Sequence, residues 1–87
     1  MTYRIEFAKR AAKQFSALPK NERQRIAKKI DALSNDPRPA GTKQLAGSDG
    51  LYRQRIGSYR AIYTIEDDRL LILVLKIGHR RDVYRDD

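Results

Sequence analysis

Residues 51–78 read LYRQRIGSYRAIYTIEDDRLLILVLKIG, and the punctuation of this stretch is that of a three-stranded meander. Residues 51–56 are the first expected strand. Gly57-Ser58 follows as a tight turn of the glycine-first type, whose twist suits two antiparallel strands. Residues 59–66 are the second strand, closed by Asp67-Asp68. Residues 70–77 are the third, apolar on both faces until Lys76, as expected of a central strand covered on at least one side. Gly78 is expected to end it.

Upstream of the meander the periodicity changes twice. Tyr3, Ile5 and Phe7 alternate with Arg4 and Glu6, the period-two signature of a short strand. From Ala8 the apolar residues fall at helical spacing: Ala8, Ala11, Ala12, Phe15 and Leu18 make one stripe, with Lys9, Arg10 and Lys13 on the other side. Pro19 interrupts this helix, and Asn21 is a candidate cap for a second one. Ile26, Ile30 and Leu33 share a face of that second helix, which is expected to reach about residue 34. Asn35, Asp36, Pro37 and Pro39 stop it, because proline lacks an amide hydrogen and restricts its predecessor. Residues 36–50, with three glycines and two prolines, read as loop, with Leu45 as an anchor. The expected fold is therefore α+β: a small antiparallel β-sheet packed against an N-terminal helical hairpin, in the order β-α-α-β-β-β, with a short C-terminal tail. At 87 residues the chain fits one domain over residues 1–87.

Composition narrows the function. Nineteen Lys and Arg against eleven Asp and Glu give a formal net charge of +8, which attracts polyanions: nucleic acid, an anionic membrane or an acidic protein. A solvated basic surface that only maintains solubility is the bland alternative. The longest apolar run, residues 70–75, is too short to span a bilayer, and no signal-peptide pattern opens the chain. With no cysteine, disulfides, thiolate metal sites and cysteine nucleophiles are excluded, and a reducing, cytoplasmic location is expected. One histidine, His79, without carboxylates spaced around it, argues against a metal site.

The basic excess has a place in the expected fold. Side chains two apart on a strand share a face, so Arg53 and Arg55 project together. Arg60 sits across the turn, and Arg80 and Arg81 lie at the exit of the third strand. Between Leu51 and Arg85, seven arginines and one lysine face four acids. Arginine binds phosphate through paired hydrogen bonds and stacks on bases. Tyr52, Tyr59, Tyr63 and Tyr84 are interleaved with these arginines. The first three read best as sheet packing. Tyr84, after a basic cluster in a terminal tail, is a binding candidate, because bases stack on exposed aromatic rings. His79 is either a strand-end residue or, beside Arg80 and Arg81, a proton-transfer group.

The motifs LYRQRIGSYRAIY and GHRRDVYR, preceded by FAKRAAKQFSALPKNERQRIAKKIDAL, resemble the RelE side of the RelE/ParE toxin superfamily over nearly the whole chain. The resemblance implies a toxin of a toxin–antitoxin module that binds the ribosomal A site, cuts mRNA there without metal, and is wrapped and neutralised by a cognate antitoxin in a hetero-oligomer. It also implies that Arg53, Arg55, Arg60, Arg80 and Tyr84 line the cutting surface; Arg81 and Arg85, basic neighbours of these positions, are expected as further RNA contacts. At Arg53 and Arg55 the best-known members carry lysine, and at Gln54 relatives usually carry an apolar residue.

Cleavage by a neighbouring 2′-hydroxyl needs a base, an acid for the leaving oxygen, and positive charge on the pentacovalent phosphate. Arginines suit the last role, since preorganised charge aimed at the transition state is often the largest contribution. They do not suit the first, because a guanidinium keeps its proton. His79 could take over proton transfer, or substrate geometry imposed by the ribosome could carry most of the acceleration. Two other readings compete: a ParE-like protein that inhibits a topoisomerase by binding, and a non-catalytic relative that binds RNA or a partner.

Overall fold

A computed structural model describes residues 2–45 and 50–79. Its elements in chain order are β1 (Arg4–Phe7), α1 (Lys9–Ser16), α2 (Lys20–Ala32), β2 (Lys43–Gln44), β3 (Leu51–Ile56), β4 (Tyr59–Glu66) and β5 (Leu71–His79). The strands form one sheet in the order β1-β5-β4-β3-β2, with the helical hairpin on one face. This is the expected α+β architecture. β3, β4 and β5 pair antiparallel as the meander predicts. Gly57 takes φ 60° and Ser58 does not share its positive φ, which is the signature of the glycine-first turn.

The core lies between the hairpin and the sheet. Ala11 of α1 and Ile26, Ile30 and Leu33 at α2 pack on Ile56, Ala61, Tyr63, Ile65, Ile72, Val74 and Ile77. Each fully buried aliphatic side chain stabilises by about 1.5–3 kcal/mol. The stripe at residues 26, 30 and 33 therefore decides which side of α2 faces inward, and its charged side chains take the remaining arc. Tyr52, Tyr59 and Tyr63 pack in or against the core, as read: Tyr63 is fully buried, its ring stacks on Tyr52 with centroids 6.2 Å apart, and its hydroxyl donates to Pro37 O at 3.1 Å. Burial pushes the Tyr63 phenol up from its ordinary pKa.

Several expectations are corrected. The sheet is not wholly antiparallel, because β1 pairs parallel with β5, Ile5 opposite Ile72 and Phe7 opposite Val74. Alternation determines which side chains of β1 face the core, but its direction depends on the path through the hairpin. α2 begins at Lys20 with Pro19 in the cap position, not at an Asn21 cap. Arg23 N–H donates to Pro19 O at 2.8 Å, so the first turn closes before Asn21 can act. α2 also ends at Ala32, short of residue 34. The 36–50 loop contains the short strand β2, paired with Tyr52 and Arg53 of β3, and Leu45 N–H donates to Leu51 O at 2.9 Å. β5 begins after Leu70, whose φ of 50° closes the preceding turn, and it runs through Gly78 to His79.

A polar cluster ties the far end of the sheet together. The Arg38 guanidinium donates to both Asp67 oxygens, 3.4 and 3.0 Å, and to the Tyr52 hydroxyl at 3.4 Å, with its carbon 5.2 Å from the Tyr52 ring centroid. The Tyr3 hydroxyl donates to Asp67 Oδ1 at 2.5 Å. These contacts hold the Asp67 carboxyl below the usual carboxylate range and raise the Tyr3 phenol.

Candidate nucleic-acid interface

Cross-strand partners in a sheet share a face, so the register sorts the basic residues. Arg53 lies opposite Ile62, which lies opposite Lys76; Arg55 lies opposite Arg60, which lies opposite Gly78. These two rows face away from the helices. The intervening row, Gln54, Ala61 and Ile77, and the last row, Ile56, Tyr59 and His79, face the hairpin. The expectation that Arg53 and Arg55 project together with Arg60 nearby is thus realised in the backbone register. Arg55 is exposed and Arg53 and Arg60 are half-buried, with the Nε atoms of the latter two buried.

Directly opposed like charges destabilise an antiparallel pair, and the Arg55–Arg60 pair is such an opposition. A local choice that opposes folding is the mark of a functional surface. Gly78, opposite Arg60, adds no side chain to the row.

His79 is not brought to this surface. The register turns it to the helix side, where its ring meets Tyr59 edge-on at 5.8 Å between centroids. Adjacency in sequence to Arg80 did not carry this information, because neighbours along a strand point to opposite faces. Arg80, Arg81, Tyr84 and Arg85 lie outside the described residues. Lys76, like Lys43 at the other end of the Arg53 row, is a cation that the sequence reading did not weigh. Its signal was present, as a lone charge interrupting an otherwise apolar strand.

The arginine face continues around the edge of β3. Because β2 is only two residues long, β3 is uncovered beyond Arg53, and a cleft of about 510 Å³ opens there between Lys29, Lys43, Arg53 and Arg55. Among the described residues no carboxylate lines it. Gln54, the polar residue at its floor, is buried, and its Oε1 accepts a 2.7 Å hydrogen bond from Thr42 Oγ1. That bond removes the penalty of burying an amide. Between the helices a second, apolar groove of about 320 Å³ is lined by Phe7, Ala12, Phe15, Ala27 and Ile30, with Asp31 at its rim. Among the described residues no three of His, Cys, Asp and Glu converge on a point that could hold a metal ion.

What this arrangement can do is hold phosphate along two rows and an adjoining cleft, with planar guanidinium groups and, among the described residues, no competing carboxylate in the cleft. Similar proteins exist. The family model described as ParE toxin of type II toxin–antitoxin system, parDE, matches residues 5–84. The putative toxin RelE1 of Methanocaldococcus jannaschii is 33% identical, over 98% of this chain and 98% of its own. The mRNA interferase toxin RelE of Escherichia coli is 30% identical, over 97% of this chain and 92% of its own. Among solved structures, the archaeal RelE–RelB complex from Pyrococcus horikoshii has a chain that superposes with TM-score 0.82 at 33% identity, covering 95% of this chain and 100% of that one.

Proposed function

This chain is a RelE-type toxin of the RelE/ParE superfamily of type II toxin–antitoxin systems, and from that premise we propose that it is a ribosome-dependent mRNA endoribonuclease that cuts in the A site and so stops translation. The observation that carries the reading is the Arg55–Arg60 opposition flanked by Arg53 on one open face. A toxin acting by protein contact alone gains nothing from like charges placed opposite one another. A polyanion neutralises them.

Arg53, Arg55 and Arg60 hold the phosphodiester backbone and stabilise the pentacovalent phosphate. Arg80 and Tyr84 complete the cutting surface, Tyr84 by stacking on a base, with Arg81 and Arg85 as further RNA contacts. The reaction needs no cofactor. Action on the ribosome makes the cytoplasm its place of work, and no described helix is long and apolar enough to cross a membrane. A cognate antitoxin is the second partner. RelE and RelB form a complex in the P. horikoshii structure, and here the apolar groove between the helices and the uncovered sheet edges are surfaces that an acidic, wrapping chain can occupy.

The test is to express the chain without its antitoxin and map mRNA 5′ ends. Codon-associated cuts within translated frames are expected, and Arg80→Ala or Tyr84→Ala should abolish them while antitoxin binding persists. Intact mRNA with accumulating DNA breaks would instead identify a topoisomerase inhibitor. Normal growth with neither effect would identify a non-catalytic binding protein.

A further inference from the structure

We infer that Lys76 is the proton acceptor of the RNA-cutting site. The inference rests on the endoribonuclease reading and supplies the base that the arginines cannot. In the two rows of the open face the side chains are Lys43, Arg53, Ile62 and Lys76, then Arg55 and Arg60, with Gly78 completing the second row. Guanidinium groups stay protonated, with a pKa above about 12, and isoleucine carries no proton to exchange. Of the cations in these rows only the lysines can exist neutral, and of the two, Lys43 sits on the two-residue edge strand β2, while Lys76 lies on the central strand β5, diagonal to Arg60. His79, the other candidate, has its ring on the opposite side against Tyr59.

Lys76 reaches this face through a break in the strand. In a regular strand residues 74 and 76 share a face, and Val74 is fully buried on the helix side opposite Tyr63. The pairing jumps between Ile62 and Tyr63, so that Ile62 meets Lys76 while Tyr63 meets Val74. Leu75 is the inserted residue of a β-bulge. The bulge reverses the alternation, returns Ile77 to the core, and delivers Lys76 to the arginines. Bulges re-aim side chains at the expense of ladder hydrogen bonds, and they are concentrated next to active sites. This one is secured from the helix side, where Gln14 Oε1 accepts the Ile77 N–H at 2.8 Å. Without the bulge, the same sequence would drive a lysine into the core.

Among the described residues the charged side chains sharing this side of the sheet are Lys43 on β2, Arg53 and Arg55 on β3, Arg60 and Glu66 on β4, and Arg4 and Glu6 on β1. The β1 pair satisfy each other through a 2.9 Å contact from Arg4 Nε to Glu6 Oε2. An amine accepts a proton only from its neutral form, which a lysine can reach and an arginine cannot. The step is then balanced. The neutral Lys76 amine takes the proton of the 2′-hydroxyl, and the 2′-oxygen bonds to phosphorus. The P–O5′ bond breaks, and the 5′-oxygen leaves with the electron pair and takes a proton from water. The products are a 2′,3′-cyclic phosphate and a 5′-hydroxyl end, and the Lys76 ammonium returns its proton to solvent.

The test is single-turnover cleavage of mRNA on programmed ribosomes across pH, with ribosome binding measured in parallel. Lys76→Arg keeps the charge and loses the exchangeable proton. A loss of about 10²–10⁴-fold in cleavage rate is expected, with binding little changed. Because the chain has no cysteine, Lys76→Cys can be alkylated selectively with bromoethylamine. This restores an amine of lower basicity, so cleavage should return with its pH profile displaced to lower pH. Lys76→Arg cutting within about threefold of wild type, or an aminoethylated variant without a displaced profile, overturns the assignment and leaves the endoribonuclease reading intact. A wild-type chain that cuts no mRNA on ribosomes at any pH overturns both.

Discussion

Replacing Arg55 with threonine should stabilise the fold while weakening its hold on RNA. Arg55 is exposed and directly opposite Arg60 across the β3–β4 pair. Side chains so placed have Cβ atoms about 4.5–5.5 Å apart, and like charges there destabilise by about 0.2–1 kcal/mol. Threonine removes one charge and adds a β-branched side chain that suits a pleated surface. Unfolding free energy should therefore rise by about 0.5 kcal/mol at low ionic strength. The gain should shrink in molar salt, where the Debye length falls to about 3 Å. Binding should move the other way: each lost contact with single-stranded RNA lowers the slope of log K against log salt by about 0.7. Urea unfolding at low and high salt gives the first quantity, and fluorescence anisotropy with a single-stranded oligoribonucleotide over a salt series gives the second. A variant less stable than wild type by about 0.5 kcal/mol or more at low salt, or one with an unchanged salt slope, would refute the view that this pair was placed for a polyanion.

Two further predictions concern the supports of the site. Gln14→Ala removes the acceptor for the half-buried Ile77 N–H and should cost about 1–3 kcal/mol of stability, whereas Gln14→Glu, which keeps an acceptor, should lose less. Equal urea midpoints for wild type and Gln14→Ala would show that the bulge holds without it. The Asp67 carboxyl, held low first by its hydrogen bonds to Arg38 and then by Tyr3, contributes stability that is fully present above the ordinary carboxylate pKa and is lost as pH falls through the lower folded value. The difference in melting temperature between wild type and Asp67→Asn should accordingly narrow as pH drops below about 4. A difference that stays constant through that window would mean the carboxylate charge contributes nothing there.

Much of the fold was legible because it is local. The Gly57-Ser58 turn needs a positive φ that glycine supplies, and the strands on either side alternate in step with it. The stripes on α1 and α2 have the helical period, and their buried members are those that the spacing selects. The site was legible only where it depended on a regular strand: Arg53 and Arg55 lie two apart in β3, and Arg60 is brought opposite by a two-residue turn. His79 stayed between two readings, strand-end residue or proton-transfer group, because adjacency to Arg80 and Arg81 in sequence does not say which face of β5 it occupies. Lys76 went unweighed because a bulge leaves no periodic trace in a strand that is apolar on both sides.

The division between sequence and tertiary structure follows from that. By itself the sequence determined a basic chain with a tight β-meander, two amphipathic helices and an arginine pair on one face of a strand. Each of these follows from backbone periodicity or residue chemistry within a few positions. Tertiary structure decided the parallel pairing of β1 with β5, the polar cluster of Tyr3, Arg38 and Asp67, and which faces Lys76 and His79 occupy. The last is a matter of parity. Alternation along β5 holds only until a residue is inserted, and the position of the insertion is set by how β5 pairs with β4 and by Gln14 reaching across from α1.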